Sequence, residues 1–171
     1  MIAYRDAVPG DGPELSAMAR RCFTDTFGSL YRASDLAAFL DRAFGLDGLP
    51  SQIDARDFAI RLTTDQGRIM GFAKVGPNAL HFPDAESANA VELYQLYVLG
   101  AYHGEGVGPA LMDWTIGEAR SRGADTLSLS VYVDNHRAQA FYRRYGFVDV
   151  GRFDFPVGDH VDEDRLMVLA L

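Results

Sequence analysis

Three glycines, Gly104, Gly106 and Gly108, stand between an apolar run and an amphipathic pattern, and that placement suits phosphate binding. Residues 91–99 have the length of a strand and the β-branched and aromatic residues that fit a pleated sheet. Beyond the glycines, Leu111, Met112, Thr115, Ile116 and Ala119 share one face of a helix. A glycine-rich turn lets the backbone approach a ligand, and the unpaired N–H groups of a first helical turn point at an anion. Further on, Asn135, Ala138, Phe141 and Tyr142 keep helical spacing. Asn135 is a natural N-cap, and Tyr142 reads as a core aromatic on the inner helical face with Ala138 and Phe141. Glu92, at the start of the apolar run, reads as a solvated strand-edge acid.

Two phosphate-bearing ligands suit a strand, glycine turn and helix. A dinucleotide expects G-x-G-x-x-G in an early βαβ unit, with an acidic residue about 20 positions on. Here the third glycine falls one residue early, Pro109 fills its place, and Asp125 precedes the next strand instead of ending it. The stretch His103-Gly104-Glu105-Gly106-Val107-Gly108 instead resembles the acetyl-CoA pyrophosphate loop of the GNAT superfamily of N-acetyltransferases, [Gln/Arg]-x-x-Gly-x-[Gly/Ala]. It does so at every position but the first. Residues 135–147, NHRAQAFYRRYGF, resemble the second signature of that superfamily, N-x-x-A-x-x-[F/L]-Y-x-x-x-G-F. With their strands the two signatures cover residues 91–155.

The resemblance implies an α/β GNAT fold: a mixed, mostly antiparallel central sheet of six to seven strands with helices on both faces. It implies one domain over residues 1–171, acetyl-CoA as cosubstrate, no metal, and an amine acceptor. Acetyl transfer from a thioester to an amine sets four requirements. The amine must lose its proton, since an ammonium has no lone pair. The carbonyl must lie in attack geometry, its developing oxyanion needs a donor, and the departing thiolate gains from an acid.

The superfamily resemblance offers candidates for each. Strands near 91–98 and 126–132 would splay apart to admit the pantetheine arm, with the backbone of Leu96, Tyr97 and Val98 beside it and Val98 N–H as the oxyanion donor. Backbone N–H groups from Gly104 through Glu105, Gly106 and Val107 to Gly108 would hold the pyrophosphate, while Pro109 has none to give. His103 stands where Gln or Arg is usual, and a partly protonated ring could replace them. Asn135 would contact the cofactor, Tyr142 would protonate the thiolate, and Glu92 would take the ammonium proton. Some relatives use a glutamate on the next strand, at the position of Ser130, which cannot act as a carboxylate base.

The chain also resembles PaiA-type polyamine (spermidine/spermine) N-acetyltransferases. The matching stretches are residues 22–27 (CFTDTF), 93–98 (LYQLYV), 153–159 (FDFPVGD) and 164–167 (DRLM). A polyamine site needs carboxylates and aromatic faces. Asp25, Glu92, Asp154, Asp159 and Asp162 could supply the first and Phe27, Tyr31 and Tyr132 the second. Taken singly, each acid also reads as a solvated loop residue. Peptide N-termini, lysine side chains, an amine-bearing antibiotic and a non-catalytic acetyl-CoA-binding module are the alternatives.

Composition sets wider bounds. A length of 171 residues suits one domain with a substantial core. The formal charge of −8 argues against a nucleic-acid partner and is compatible with a cationic substrate or with simple solubility. No apolar run has bilayer-spanning length and the start shows no signal-peptide pattern, so the expectation is a cytoplasmic protein without a membrane partner. A homodimer is left open. The single Cys22 is expected in the core.

Elements must position these residues. Expected are a strand over 2–5, a helix opened by an Asp11–Glu14 capping box, and a second helix over 34–44. A third short helix near 49–55 is weaker. A hairpin follows over 58–62 and 69–75, with a turn at 64–67 and then a polar loop over 76–90. A strand over 126–132, a helix over 135–145 and strands over 147–155 and 165–169 close the chain.

Overall fold

The computed structural model describes residues 1–82 and 89–171. One seven-stranded sheet carries the molecule, in the order β1-β2-β3-β4-β5-β7-β6. Its strands are β1 (Ile2–Asp6), β2 (Ala59–Asp65), β3 (Arg68–Pro77), β4 (Ala90–Val98), β5 (Thr126–Tyr132), β6 (Val148–Val157) and β7 (His160–Ala170). Every neighbouring pair is antiparallel except β4 and β5, which run parallel. A parallel pair requires a crossover, and the chain makes it through α3 (Val107–Ser121).

Two apolar clusters lie on the two faces of this sheet. α1 (Gly12–Phe27) and α2 (Ala33–Phe44) bury Leu15, Met18, Ala19, Cys22, Phe23, Phe39 and Phe44 with Leu62 and Phe72. α3 and α4 (His136–Arg144) cover the other face, where Leu111, Met112 and Ala119 pack on Leu93, Leu127 and Leu129. Cys22 is a buried free thiol, as its helical spacing implied.

Three local expectations are corrected. Asp11 makes no side-chain cap on α1; it accepts instead from the Arg5 guanidinium and from Val8 N–H at 2.8 Å. Glu14 reaches across to β3, where Oε1 accepts from Arg68 Nε at 2.8 Å and from Ile69 N–H at 3.1 Å. Donors from the preceding strand and turn hold Asp11 and tertiary donors from β3 hold Glu14, so the box does not form. The residues near 49–55 form only a short 3-10 turn, Leu49–Gln52. The hairpin strands run longer than expected, because Gln66 and Gly67 both take positive φ, 49° and 78°, and so make a tight primed turn. Of the polar loop, β3 takes the first two residues, and residues 83–88 lie outside the described residues.

β4 and β5 pair only where Ala90, Val91 and Glu92 face Thr126, Leu127 and Ser128. Beyond that point the two strands part. A bulge lies on the other edge of β4: Lys74 faces Gln95 and Val75 faces Leu93, leaving Tyr94 as the extra residue. One extra residue reverses which face later side chains occupy. Leu96 and Val98 therefore pack with the α3/α4 cluster, and Tyr97 packs with the α1/α2 cluster.

Candidate active site

The parting of β4 and β5 opens a cleft of about 710 Å³, within the range of small-molecule sites. One end is lined by His103, Gly104, Gly106, Gly108 and Pro109. The middle is lined by Leu96, Tyr97 and Val98 on one side and Leu129, Ser130 and Val131 on the other. Asn135, Arg137, Ala138 and Tyr142 form its wall from α4, and Phe27, Tyr31, Tyr132, Asp162 and Asp164 border the other end.

Ladder geometry decides which backbone groups face this cleft. Leu99 N–H donates to the Met70 carbonyl at 2.9 Å, and the register places Tyr97 opposite Phe72 and Val98 opposite Gly71. Hydrogen-bonded pairs alternate in an antiparallel ladder, so Tyr97 bonds toward β3, whereas Leu96 and Val98 turn their N–H and C=O groups toward β5. The Val98 carbonyl accordingly accepts from His103 Nε2 at 2.9 Å. Tyr97 thus departs from its expected backbone role: its ring packs on Phe72 and Phe44, with centroids 5.4 Å and 6.2 Å away.

Gly104 and Gly106 have φ of +90° and +79°, and nothing lies within 4 Å of where a Cβ would stand. Only glycine holds this conformation without strain, and the space beside it is open for a ligand. Gly106 caps α3, and Ala110 N–H donates to its carbonyl at 3.1 Å. The Glu105 N–H turns back to the Tyr102 carbonyl at 3.4 Å. A guanidinium cannot accept, so Arg137 Nη1 donates to His103 Nδ1 at 2.7 Å, which assigns the ring proton to Nε2. This pairing brings a positive charge to the loop from α4, and the sequence reading had not singled out Arg137.

On α4, Asn135 Oδ1 accepts from Ala138 N–H at 3.2 Å, the cap its position implied. Tyr142 lies between Phe141 and Phe147, with ring centroids 5.5 Å and 5.7 Å away. Burial pushes its phenol up to about 12. No protein group among the described residues bonds its hydroxyl.

Glu92 is not in this constellation. It sits at the closed end of the splay, opposite Ser128, and is absent from the described residues lining the cleft. Its carboxylate is buried and accepts from Ala79 N–H at 2.9 Å, and burial raises it above the ordinary carboxylate range. Lys74 lies nearby, donating to Gln52 Oε1 at 2.6 Å and lying 4.6 Å from the Tyr94 ring centroid. Burial lowers that ammonium to about 8.

The carboxylates of the cleft come from β7. Asp162 and Asp164 alternate onto the same buried face, each 6% exposed. The Asp162 oxygens accept from the Tyr31 hydroxyl and from His160 Nε2, the latter at 3.0 Å. Asp164 has the Ser130 hydroxyl as its side-chain donor; burial, reinforced by the Asp162 charge, pushes it up to about 7. Of the other acids considered, Asp25 pairs with Arg21 at 3.5 Å and Asp154 with Arg152 at 2.9 Å, both exposed. Asp159 does not line the cleft among the described residues. Phe27, Tyr31 and Tyr132 do converge there, with Phe27 edge-on to Tyr132 at 6.0 Å.

A profile of the acetyltransferase (GNAT) family matches residues 16–147, most of the chain, including β4, β5, the glycine loop and α4 but not β7. The chain belongs to the GNAT family. It is similar to an uncharacterized N-acetyltransferase of Mycobacterium tuberculosis, 32% identical over 161 residues that cover 94% of this chain and 98% of that one. A second, from Lactobacillus delbrueckii subsp. lactis, is 26% identical and covers 94% and 92%. Among solved structures, the PaiA N-acetyltransferase of Thermoplasma acidophilum in complex with coenzyme A has a TM-score of 0.79 at 19% identity, covering 100% and 99%. A putative acetyltransferase from Salmonella typhimurium with its cofactor acetyl-CoA has a TM-score of 0.74 at 20% identity, covering 100% and 94%. The protein is thus an acetyltransferase with the seven-stranded GNAT sheet. No helix among the described residues is long and apolar enough to cross a membrane.

Proposed function

We propose that this GNAT protein transfers the acetyl group of acetyl-CoA directly to a primary amine, and that the amine is a small polycation such as a polyamine. The observation that carries the acceptor class is the pairing of Asp162 and Asp164 with Tyr31, Phe27 and Tyr132 at one end of the cleft. Buried carboxylates attract an ammonium, and aromatic faces favour the methylenes and further charges of an extended cation. The fold likeness to a PaiA enzyme points the same way.

Acetyl-CoA supplies an activated acyl carbon on a thiol leaving group. The residues present suit it. Positive-φ glycines, the first turn of α3 and the Arg137–His103 pair suit a pyrophosphate, leaving Gly104, Gly106, Val107 and Gly108 as its backbone donors. Leu96 and Val98 offer backbone groups to the pantetheine amides, and Val98 N–H is the donor for the carbonyl oxygen. Asn135 holds the start of α4, and Tyr142 on the same helix gives its proton to the thiolate. Burial pushes the Cys22 thiol up to about 11, so it is a poor nucleophile at neutral pH and direct transfer is favoured over an acyl-enzyme.

Release of CoA from acetyl-CoA, followed with spermidine, spermine, a lysine peptide and an aminoglycoside, tests this reading. Saturable turnover with the polyamines alone is expected. Turnover confined to another amine overturns the acceptor class, and tight acetyl-CoA binding without turnover of any amine overturns catalysis.

A further inference from the structure

We propose that Asp164 receives the ammonium proton of the acceptor, while Asp162 holds the acceptor in place. This rests on the amine-acetylation reading above and names the base for it.

The geometry separates the two carboxylates. They sit two residues apart on β7 and share one face of the strand. Both Asp162 oxygens already accept from donors, Tyr31 on one and His160 on the other, which fixes its orientation. Asp164 keeps accepting capacity beyond its Ser130 hydroxyl. It is also placed where a base is needed, within the same cleft as Val98 and Tyr142. β5 runs beside β7, with Tyr132 opposite Asp164 and Ser130 opposite Leu166. β7 thereby supplies a carboxylate beside the Ser130 side chain, at the β5 position that carries none itself.

The groups facing Asp164 are Asp162 on its own strand, Ser130 and Tyr132 on β5, Tyr97 on β4 and Tyr31 before α2. On β6, Phe153 lies opposite it in the ladder and adds no charge. None of these neighbours is cationic, which is the setting that keeps a carboxyl poised near neutral pH. Other bases are less well placed: Glu92 lies outside the cleft, and His103 Nδ1 is occupied by Arg137.

In the step itself, the ammonium N–H proton passes to the Asp164 carboxylate, freeing the nitrogen lone pair. The C–N bond forms as the C–S bond breaks, and the thiolate takes the Tyr142 proton. The nitrogen's surplus proton restores the tyrosine phenol. Asp164 then releases its proton to solvent, so the sum is one amide, one thiol and one proton.

The test compares wild type, Asp164→Asn and Asp164→Glu, with spermidine as acceptor and pH varied from 6 to 9.5. Asp164→Asn is expected to lower kcat/KM for the amine by about 10²–10⁴-fold at pH 7, with acetyl-CoA affinity within about twofold. Its deficit should shrink as pH rises, because solvent then supplies free amine without a base, and Asp164→Glu should recover part of the rate. A structural role predicts a deficit that does not change with pH. A constant deficit, or an Asp164→Asn rate within threefold of wild type, overturns the proposal. If the lysine peptide and not spermidine is the substrate, the polyamine reading fails and the same comparison is made with the peptide. If Asp164→Asn does not fold, Ser130→Ala decides: losing the hydroxyl that lowers Asp164 should move the acid limb of kcat/KM to higher pH, and an unmoved limb overturns the proposal.

Discussion

Replacing Tyr142 by Phe isolates one oxygen. The ring contacts with Phe141 and Phe147, at 5.5 Å and 5.7 Å, remain, and no protein hydrogen bond among the described residues is lost. Removing a half-buried hydroxyl with no protein partner should change stability by less than about 0.5 kcal/mol, or roughly 1–2 °C in Tm for a domain of this size. Catalysis should respond far more. General-acid contributions run about 10²–10⁴-fold, and a thiolate is a fair leaving group unaided, which places the effect near the lower end at about 10²-fold in kcat. That is close to 2.7 kcal/mol of lost transition-state stabilisation. With the phenol pushed up to about 12, wild type should keep its acid protonated to pH 9.5, so the deficit should be nearly level from pH 6 to 9.5. The assay is steady-state CoA release at saturating acetyl-CoA, alongside cofactor affinity by calorimetry. A kcat within threefold of wild type, or a rate loss matched by an equal loss of acetyl-CoA affinity, would refute the acid role.

Two further outcomes follow from the loop and from the buried lysine. Gly106→Ala places a side chain at φ +79°, a left-handed conformation costing about 1–2 kcal/mol. Tm should fall by about 2–8 °C and acetyl-CoA affinity by roughly tenfold as the cradle relaxes, measured by calorimetry; unchanged affinity would remove this loop as the phosphate site. Lys74 has a folded pKa of about 8, below its unfolded value of about 10.4. The folded state therefore binds fewer protons between those values, and this group's contribution to stability rises as pH climbs from about 8 to 10. Lys74→Met should gain most in Tm relative to wild type at pH 7 and less at pH 10; a difference independent of pH would contradict the buried-ammonium account.

The cofactor end was legible because it is local. A strand, two positive-φ glycines, a helix start and the Asn135–Tyr142 helix are contiguous segments whose residue types carry their own conformational reasons. The acceptor end was only partly legible, because distant segments assemble it. The last strand was expected from residue 165, since the HVDED stretch before it is rich in residues that strands disfavour. Pairing of β7 with β5 on one side and β6 on the other overrides that preference and buries Asp162 and Asp164. The alternation of Asp162, Asp164 and Leu166 was the available signal. The bulge at Tyr94 left none, because an extra residue on β4 is defined only by its partner strand. Without it, strand alternation would have kept Glu92 on the same face as Leu96 and Val98.

The two ends of the cleft carry opposite charge, and this ties the overall composition to the site. At the loop, the N-terminus of α3 and the Arg137 guanidinium present positive potential. At the far end, Asp162 and Asp164 lie in a low-dielectric wall of aromatic rings, where the field of a carboxylate is screened least. In the proposed reaction an anionic cosubstrate and a cationic acceptor would each be drawn to one end, with their reacting groups meeting between Val98 and Tyr142. The formal charge of −8 strengthens attraction at the acceptor end and opposes it at the other. Raising ionic strength should therefore raise KM for the polycation more than KM for acetyl-CoA, whose grip depends on short-range N–H contacts. An equal response of both would mean that the Asp162–Asp164 end does not recognise charge.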